Sequence, residues 1–262
     1  MNYRQLMYSM VIIALTSGCN LDSNKDPIIV PEIEKEFNIE LWEELSPTSR
    51  ELRLLVTTIK NEPCLNSTIT YDNDRMGANM FISLNNIVTP ADCEPGTAPA
   101  QANINLGALS AATYNLSLGL KNTIINEGKL QVSYDKYEVT METEEGLQFL
   151  HRELRRVPAT AIWGYVAYSQ PAEVNQANSV VEAIGDIAYE ADYPQGYYGH
   201  FTINPNNYNL SLRYYPTQGL AKPFLFDFSG NTQNLKNLLA DLRQSNPAIT
   251  AIKVWNANGE EL

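Results

Sequence analysis

Few residues of this 262-residue chain are of a type that does chemistry, and the two histidines, His151 and His200, are the first to consider. Neither stands in a motif with a nucleophile, and neither G-x-S-x-G nor H-E-x-x-H occurs. His151 lies in the amphipathic segment FLHRELRRVP (149–158), where a surface position is the simplest interpretation. Because a catalytic triad is recognised by geometry and not by spacing, a hydrolase stays one hypothesis, although no residue is predicted to be catalytic.

The acidic segment DNDRMG (72–77) begins like a calcium-binding loop. However, Met76 occupies a ligand position, and Ser83 stands where such a loop has its bidentate glutamate. A turn is therefore the preferred interpretation, and the sequence predicts neither a metal nor a cofactor. The chain has 30 acidic residues, but the pattern singles out no pair suited to glycoside hydrolysis.

A group of aromatic residues near His200 indicates a binding site more strongly. Their arrangement depends on a predicted β-hairpin. The segments YYGHFTI (197–203) and YNLSLRYY (208–215) flank the turn NPNN. A four-residue loop would pair Ile203 with Tyr208 and would place the apolar residues on one side, where helices should cover them. The opposite side then carries Tyr198, His200, Arg213 and Tyr215.

Alternation in other predicted strands adds three aromatic residues to this open side. The resulting candidate ligand-binding set is Trp163, Tyr165, Tyr198, His200, Arg213, Tyr215 and Trp255. Flat aromatic rings bury the CH surfaces of a ligand, while polar neighbours fix its orientation, which suits sugar rings or an extended peptide. The alternative interpretation is that this face packs against the predicted β-sandwich domain and that its rings are core.

The start of the chain decides where these residues would act. Arg4 precedes a short apolar run, Leu6 to Leu15, which is too short to span a bilayer and is followed by small residues and Cys19. This pattern resembles the lipobox of bacterial lipoproteins. The resemblance implies a signal peptide at 1–18, acylation of Cys19 and, from Asn20, sorting to the outer membrane. An ordinary signal peptide cut nearby, or a short buried segment, is the alternative.

Two further cysteines, Cys64 and Cys93, remain if Cys19 carries the lipid. An even pair in an oxidising compartment favours a disulfide, which would stabilise the fold by roughly 3–4 kcal/mol. A metal site is a poor alternative because no histidine lies nearby, and a catalytic thiol is the other alternative.

The net charge limits the partners. Eighteen basic residues against 30 acidic ones give a net charge of −12. This charge argues against nucleic acid, which needs faces rich in lysine and arginine, and against adhesion to anionic lipid. The predicted lipid anchor would therefore carry the membrane attachment.

The chain after the signal peptide divides into three predicted regions. Residues 19–50 are acidic, and Pro27 and Pro31 break regular structure, which favours a tether, although apolar alternation from Phe37 onwards allows a peripheral strand. Residues 51–142 alternate with period two through about seven short strands, typical of a β-sandwich. The segment LSAATYNLSL resembles the tyrosine corner of immunoglobulin-like domains, which implies that the Tyr114 hydroxyl bonds to upstream backbone.

Residues 143–262 carry a different period. ATAIWGYVAYS (159–169) reads as a strand buried on both faces, and two apolar stripes, one from Val174 and one from Leu235, predict helices. The order of elements, β-α-β-β-(β)-α-β, resembles a ferredoxin-like split β-α-β fold and predicts an α+β domain.

Three functions are consistent with these predictions. The preferred one is a non-enzymatic, lipid-anchored envelope protein that binds a glycan, a peptide or a protein partner through the aromatic face. The second is a structural, adhesion or assembly accessory lipoprotein with no small ligand. The third is a hydrolase whose site lies between the domains.

Overall fold

Most of the protein is β-strand, with a large curled sheet and a smaller region that contains two helices. The structure is a computed structural model that describes residues 33–121, 123–205, 209–216 and 218–262. The predicted signal peptide at 1–18 and the predicted lipidation site Cys19 lie outside the described residues. In the part of the chain that is described, no helix is both long and apolar enough to cross a membrane.

The large sheet has ten strands. They are β1 (Phe37–Leu45), β2 (Arg50–Cys64), β3 (Thr68–Met76), β4 (Asn79–Val88), β5 (Pro95–Gly107), β6 (Ala112–Leu120), β7 (Ile124–Val132), β8 (Lys136–Met141), β9 (Leu147–Phe149) and β10 (Glu153–Arg155). Their order in the sheet is β10-β8-β7-β6-β4-β3-β5-β2-β1-β9. The predicted alternation is confirmed in β2, where Leu52, Leu54 and Val56 are buried in one core.

Strand β1 lies within the segment that the sequence predicts to be a tether. It pairs antiparallel with β2 and parallel with β9, and its alternate residues Phe37, Ile39 and Leu41 are buried in the core of the large sheet. The acidic residues Glu40 and Glu44 lie on the other side of the strand. The chain is therefore part of the fold from Phe37 onwards, because the apolar alternation outweighs the acidic composition.

Two local predictions are confirmed in the large sheet. The hydroxyl of Tyr114 donates to the carbonyl of Ser110 at 3.0 Å, as the resemblance to a tyrosine corner implies. Cys64 and Cys93 lie at disulfide distance with their Cα atoms 5.5 Å apart.

The smaller region contains two sheets and two helices. Its strands are β11 (Ala161–Tyr168), β12 (Tyr189–Glu190), β13 (Gly196–Tyr197), β14 (Phe201–Ile203), β15 (Leu210–Leu212), β16 (Leu220–Asp227) and β17 (Ile249–Asn256). The helices are α1 (Val174–Gly185) and α2 (Thr232–Ser245). One sheet has the order β12-β16-β11-β17 and the other β13-β14-β15.

Strand β11 is buried on both faces, as predicted, but different partners cover the two faces. Ile162 and Val166 pack against both helices. Trp163 and Tyr165 point to the opposite face and pack in one cluster with apolar residues of the three-stranded sheet. The prediction that helices cover the apolar side of the hairpin is therefore wrong, because the hairpin forms a separate sheet on the face that the helices leave free.

The register of the predicted hairpin also needs a correction. Ile203 pairs with Leu210 and not with Tyr208. The backbone N–H and the side-chain amide of Asn204 both donate to the carbonyl of Asn209, which extends the pairing towards the loop. Since the shift is two residues, the side chains of β14 and β15 keep their predicted sides.

The segment 197–203 differs more strongly from the prediction, because it is not one strand. β13 and β14 pair antiparallel across a tight turn in which the N–H of Tyr198 donates to the carbonyl of Phe201. Gly199 adopts a φ of +80°, a left-handed conformation that glycine tolerates best. The turn interrupts the alternation, so Tyr198 is buried and stacks on Phe201 instead of lying on the open side.

Candidate functional site

An aromatic cleft of about 310 Å³ lies where strand β1 of the large sheet meets the smaller region. Its lining residues, which define the aromatic cleft from here on, are Trp42, Glu44, Leu45, Trp163, His200, Tyr214, Trp255 and Gly259. All three tryptophans of the chain line this cleft. The intrinsic tryptophan fluorescence of the protein therefore reports on this one place.

Five separate parts of the chain build the cleft. Strand β1 contributes Trp42, and the paired strands β11 and β17 contribute Trp163 and Trp255, which stand directly opposite each other. The turn before β14 contributes His200, and Tyr214 follows β15. Because these parts are far apart in sequence, only the tertiary fold creates the cleft.

The rings around His200 are closely packed. The centroid of the His200 ring lies 4.1 Å from that of Trp42 and 5.4 Å from that of Trp163. A Cβ on Gly199 would lie 3.2 Å from the Trp42 ring, so the turn needs a glycine for this close approach as well as for its φ. At the other end, a Cβ on Gly259 would lie 2.1 Å from the carbonyl oxygen of Leu45. Both glycines let the backbone close around the tryptophans.

The protonation of His200 follows from its hydrogen bond to the backbone of β1. Nε2 lies 2.9 Å from the carbonyl oxygen of Glu43, and since a carbonyl only accepts, Nε2 carries the proton. Burial lowers the pKa of His200 to about 4, and the positive charges of Arg213 and Arg50 act in the same direction. At neutral pH the ring is therefore uncharged, and Nδ1 is an acceptor.

Arg213 contacts Trp42 but does not itself line the cleft. Its two terminal nitrogens donate to the two carboxylate oxygens of Glu40, each at 2.9 Å. Its guanidinium lies 4.6 Å from the centroid of the Trp42 ring, a cation–π contact. The hydroxyl of Tyr197 donates to the same carboxylate at 2.6 Å. Arg213 thus holds one side of Trp42, and its charge is compensated by Glu40.

A buried carboxylate anchors the same strand from its inner side. Glu43 is 0% exposed, accepts from the hydroxyl of Tyr137 at 3.0 Å and from Nε of Arg156 at 2.9 Å, and lies 3.7 Å from Arg50. A buried carboxylate is tolerated only with such partners. The backbone carbonyl that holds His200 therefore belongs to a residue whose side chain is fixed in the core.

The structure brings together three of the seven predicted site residues, Trp163, His200 and Trp255. Tyr165 lies beside them, with its ring centroid 6.0 Å from that of Trp255 and 6.2 Å from that of Tyr215. Tyr215 is exposed on the Tyr165 side. The remaining two, Tyr198 and Arg213, are a buried core residue and a residue that contacts Trp42 without lining the cleft.

Sequence reasoning missed five residues of the cleft, namely Trp42, Glu44, Leu45, Tyr214 and Gly259. Trp42 stands between Leu41 and Glu43, on the side of β1 that faces away from the core of the large sheet. An isolated tryptophan on the polar face of a strand was the signal that could have found it. Tyr214 is 60% exposed, but it follows the end of β15, where strand alternation no longer predicts direction.

The cleft is suited to binding. It carries one carboxylate, Glu44, and one uncharged imidazole, His200, beside four aromatic rings that supply flat apolar surface. Within the described residues, no group of three or more histidine, cysteine, aspartate or glutamate side chains could hold a metal ion. Comparison with family models, with curated proteins and with solved structures gives no match to this chain.

Proposed function

We propose that this chain is a lipid-anchored protein of the bacterial cell envelope that binds a glycan, a peptide or a protein partner without catalysis. The observation that carries the proposal is the aromatic cleft, where all three tryptophans converge on a partly open space. Aromatic residues at such density are typical of ligand sites, because a ring buries a large apolar area with little loss of conformational entropy. Its volume of about 310 Å³ lies at the lower end of the range for ligand sites, which suits a sugar ring or a side chain.

The proposed location rests on the sequence and on one feature of the fold. The lipobox-like segment that ends at Cys19 would anchor the chain in the outer membrane through several acyl chains. The pair Cys64 and Cys93 at disulfide distance supports an oxidising compartment. The net charge of −12 supports a partner other than nucleic acid.

The finer fold assignment is part of the same proposal. We infer that residues 51–142 form an immunoglobulin-like module, which the hydrogen bond from Tyr114 to Ser110 supports. We infer a ferredoxin-like, split β-α-β arrangement for residues 143–262. Its support is that α2 joins β16 to β17 while β11 lies between these two strands.

The test is a fluorescence titration of the chain with soluble oligosaccharides and extended peptides. A ligand that enters the aromatic cleft should change the tryptophan emission. Tyr214→Ala should weaken binding because it removes the most exposed ring of the cleft. Tyr134→Ala is the matched control, since Tyr134 is 91% exposed in the turn between β7 and β8, outside the cleft.

Equal affinities of these two variants would contradict the cleft as the binding site. Unchanged emission across both panels would contradict small-ligand binding altogether. The experiment works without knowledge of the natural ligand, because both the reporter tryptophans and the altered tyrosine belong to the cleft.

A further inference from the structure

The charged groups near the aromatic cleft are compensated within the protein. The carboxylate of Glu44 lies 2.5 Å from Nε of Arg53. Arg213 is held by both carboxylate oxygens of Glu40, and His200 is uncharged at neutral pH. A charged ligand would therefore find no unpaired counter-charge on these groups, whereas a neutral ligand would not have to break an ion pair.

His200 offers the cleft a hydrogen-bond acceptor. Because Nε2 donates to the carbonyl of Glu43, the neutral ring has its lone pair on Nδ1. The ring is held between Trp42 and Trp163, so its orientation is fixed before a ligand arrives. A ligand group that hydrogen-bonds to Nδ1 must be a donor, and a hydroxyl is a simple neutral one.

The tryptophans offer the complementary donors. An indole N–H only donates, and within the described residues no group accepts a hydrogen bond from the indole N–H of Trp42, Trp163 or Trp255. These N–H groups can therefore serve acceptor oxygens of a ligand. The cleft thus combines donors, an acceptor and flat apolar ring surface.

We propose that the ligand of the aromatic cleft is a neutral carbohydrate, with one hydroxyl donating to Nδ1 of His200. This inference rests on the proposed function and names its ligand class. A pyranose ring has an apolar CH face that fits an aromatic ring and a rim of hydroxyls that both donate and accept. A neutral peptide backbone brings one donor and one acceptor per residue, fewer than the several hydroxyls of a pyranose ring, and an acidic or basic ligand would need charge that the cleft has already paired.

The test titrates the whole chain with neutral hexasaccharides (cellohexaose, maltohexaose and hexa-N-acetylchitohexaose) and follows tryptophan emission. The comparison probes are hexagalacturonate, which is acidic, a lysine-rich peptide and a neutral extended peptide. At least one neutral hexasaccharide should bind, and its affinity should hardly change from low to high salt because no ion pair is formed.

Two variants of His200 separate the contact with the ligand from the support of the fold. In His200→Gln the side-chain amide nitrogen lies near the position of Nε2, so the variant keeps a donor for the carbonyl of Glu43 but loses the acceptor at Nδ1. His200→Asn does the opposite, since its amide oxygen lies near the position of Nδ1. We expect about tenfold weaker sugar binding for His200→Gln and a smaller loss for His200→Asn.

The outcomes distinguish this inference from the function on which it rests. If only a peptide changes the emission, the aromatic cleft is a binding site but the carbohydrate inference is overturned. Binding of hexagalacturonate or of the lysine-rich peptide in preference to the neutral sugars, with strong salt dependence, overturns it as well. A melting temperature near that of the wild type, together with unchanged sugar affinity, for His200→Gln would remove Nδ1 from the site.

Discussion

The two faces of strand β11 solve the same packing problem in different ways. Ile162 and Val166 meet two helices whose aliphatic residues, such as Leu235 and Leu239, are completely buried. Trp163 and Tyr165 pack against short strands and turns. These elements cover the face only as far as the aromatic cleft. Regular helices close a face because their side chains interdigitate along a continuous stripe. Short strands with tight turns leave gaps, and large rings at the edge of such a gap form a site.

We predict that substitutions on the helix-covered face of β11 mainly reduce stability, whereas substitutions in the aromatic cleft mainly reduce ligand binding. The largest effect is expected for Leu239→Ala in α2. It removes a fully buried side chain and should lower the free energy of unfolding by about 2–5 kcal/mol, because a cavity is left behind. Denaturant unfolding measures the loss, with Leu150→Ala, which is 47% exposed, as the control. A smaller loss of unfolding free energy for Leu239→Ala than for the control would contradict the stabilising role of the helix-covered face.

The next effect concerns the stability of the protein in acid, which we expect to depend on His200 in the aromatic cleft. The pKa of His200 is lowered from 6.5 to about 4 in the folded chain, mainly by burial. Between these values the unfolded state binds more protons, so stability falls as the pH falls. The total loss by pH 4 is roughly 2–3 kcal/mol after allowance for the remaining solvent contact.

His200→Gln should lose this part of the pH dependence, which urea unfolding at several pH values can measure. The difference between the wild type and the variant isolates His200 from the carboxylates that titrate in the same range. If the difference is constant from pH 7 to pH 4, the histidine is not held in its neutral form.

A smaller effect is expected for Gly199→Ala, which tests the turn that presents His200. The left-handed φ of +80° and the contact of 3.2 Å with Trp42 should together cost about 1–2 kcal/mol. The variant should also shift the emission of the tryptophans, because Trp42 must move. Gly77→Ala is the control for φ alone, since its φ is +62° and no atom lies within 4 Å of its added Cβ.

The smallest effect on stability is expected for Tyr214→Ala. The side chain is 60% exposed, so the melting temperature should change little, by an amount that corresponds to about 0.5 kcal/mol or less. Its effect on ligand binding, by contrast, should be clear. A large destabilisation would mean that the cleft is part of the core, and the contrast between the two faces would then disappear.

Much of the fold was predictable where one face of an element is buried and the other is not. The alternation in β2, the stripe of α2 and the double burial of β11 all follow from the period of the apolar residues. The hydrogen bond from Tyr114 to Ser110 followed from a local resemblance. The candidate site was predicted in part, since strand alternation brought together Trp163 and Trp255.

The sequence-based predictions were wrong or incomplete at turns and at contacts between distant parts of the chain. Tyr198 was assigned to the open side because alternation was extended through Gly199, where the chain in fact reverses direction. Trp42 was missed because its segment was interpreted by its acidic composition. No sequence pattern relates β1 to the turn at His200, which lies 158 positions after Trp42, yet the centroids of the two rings are only 4.1 Å apart.

By itself, the sequence determined the periodic elements, the pairing of Cys64 with Cys93 and a supply of aromatic residues in the second half of the chain. These features depend on neighbours along the chain and on the balance between burial and solvation. Only the tertiary structure decided which of the aromatic rings became core and which line a cleft. That choice depends on how completely two surfaces from distant parts of the chain fill the space between them, and close packing between such surfaces is not encoded in any local period.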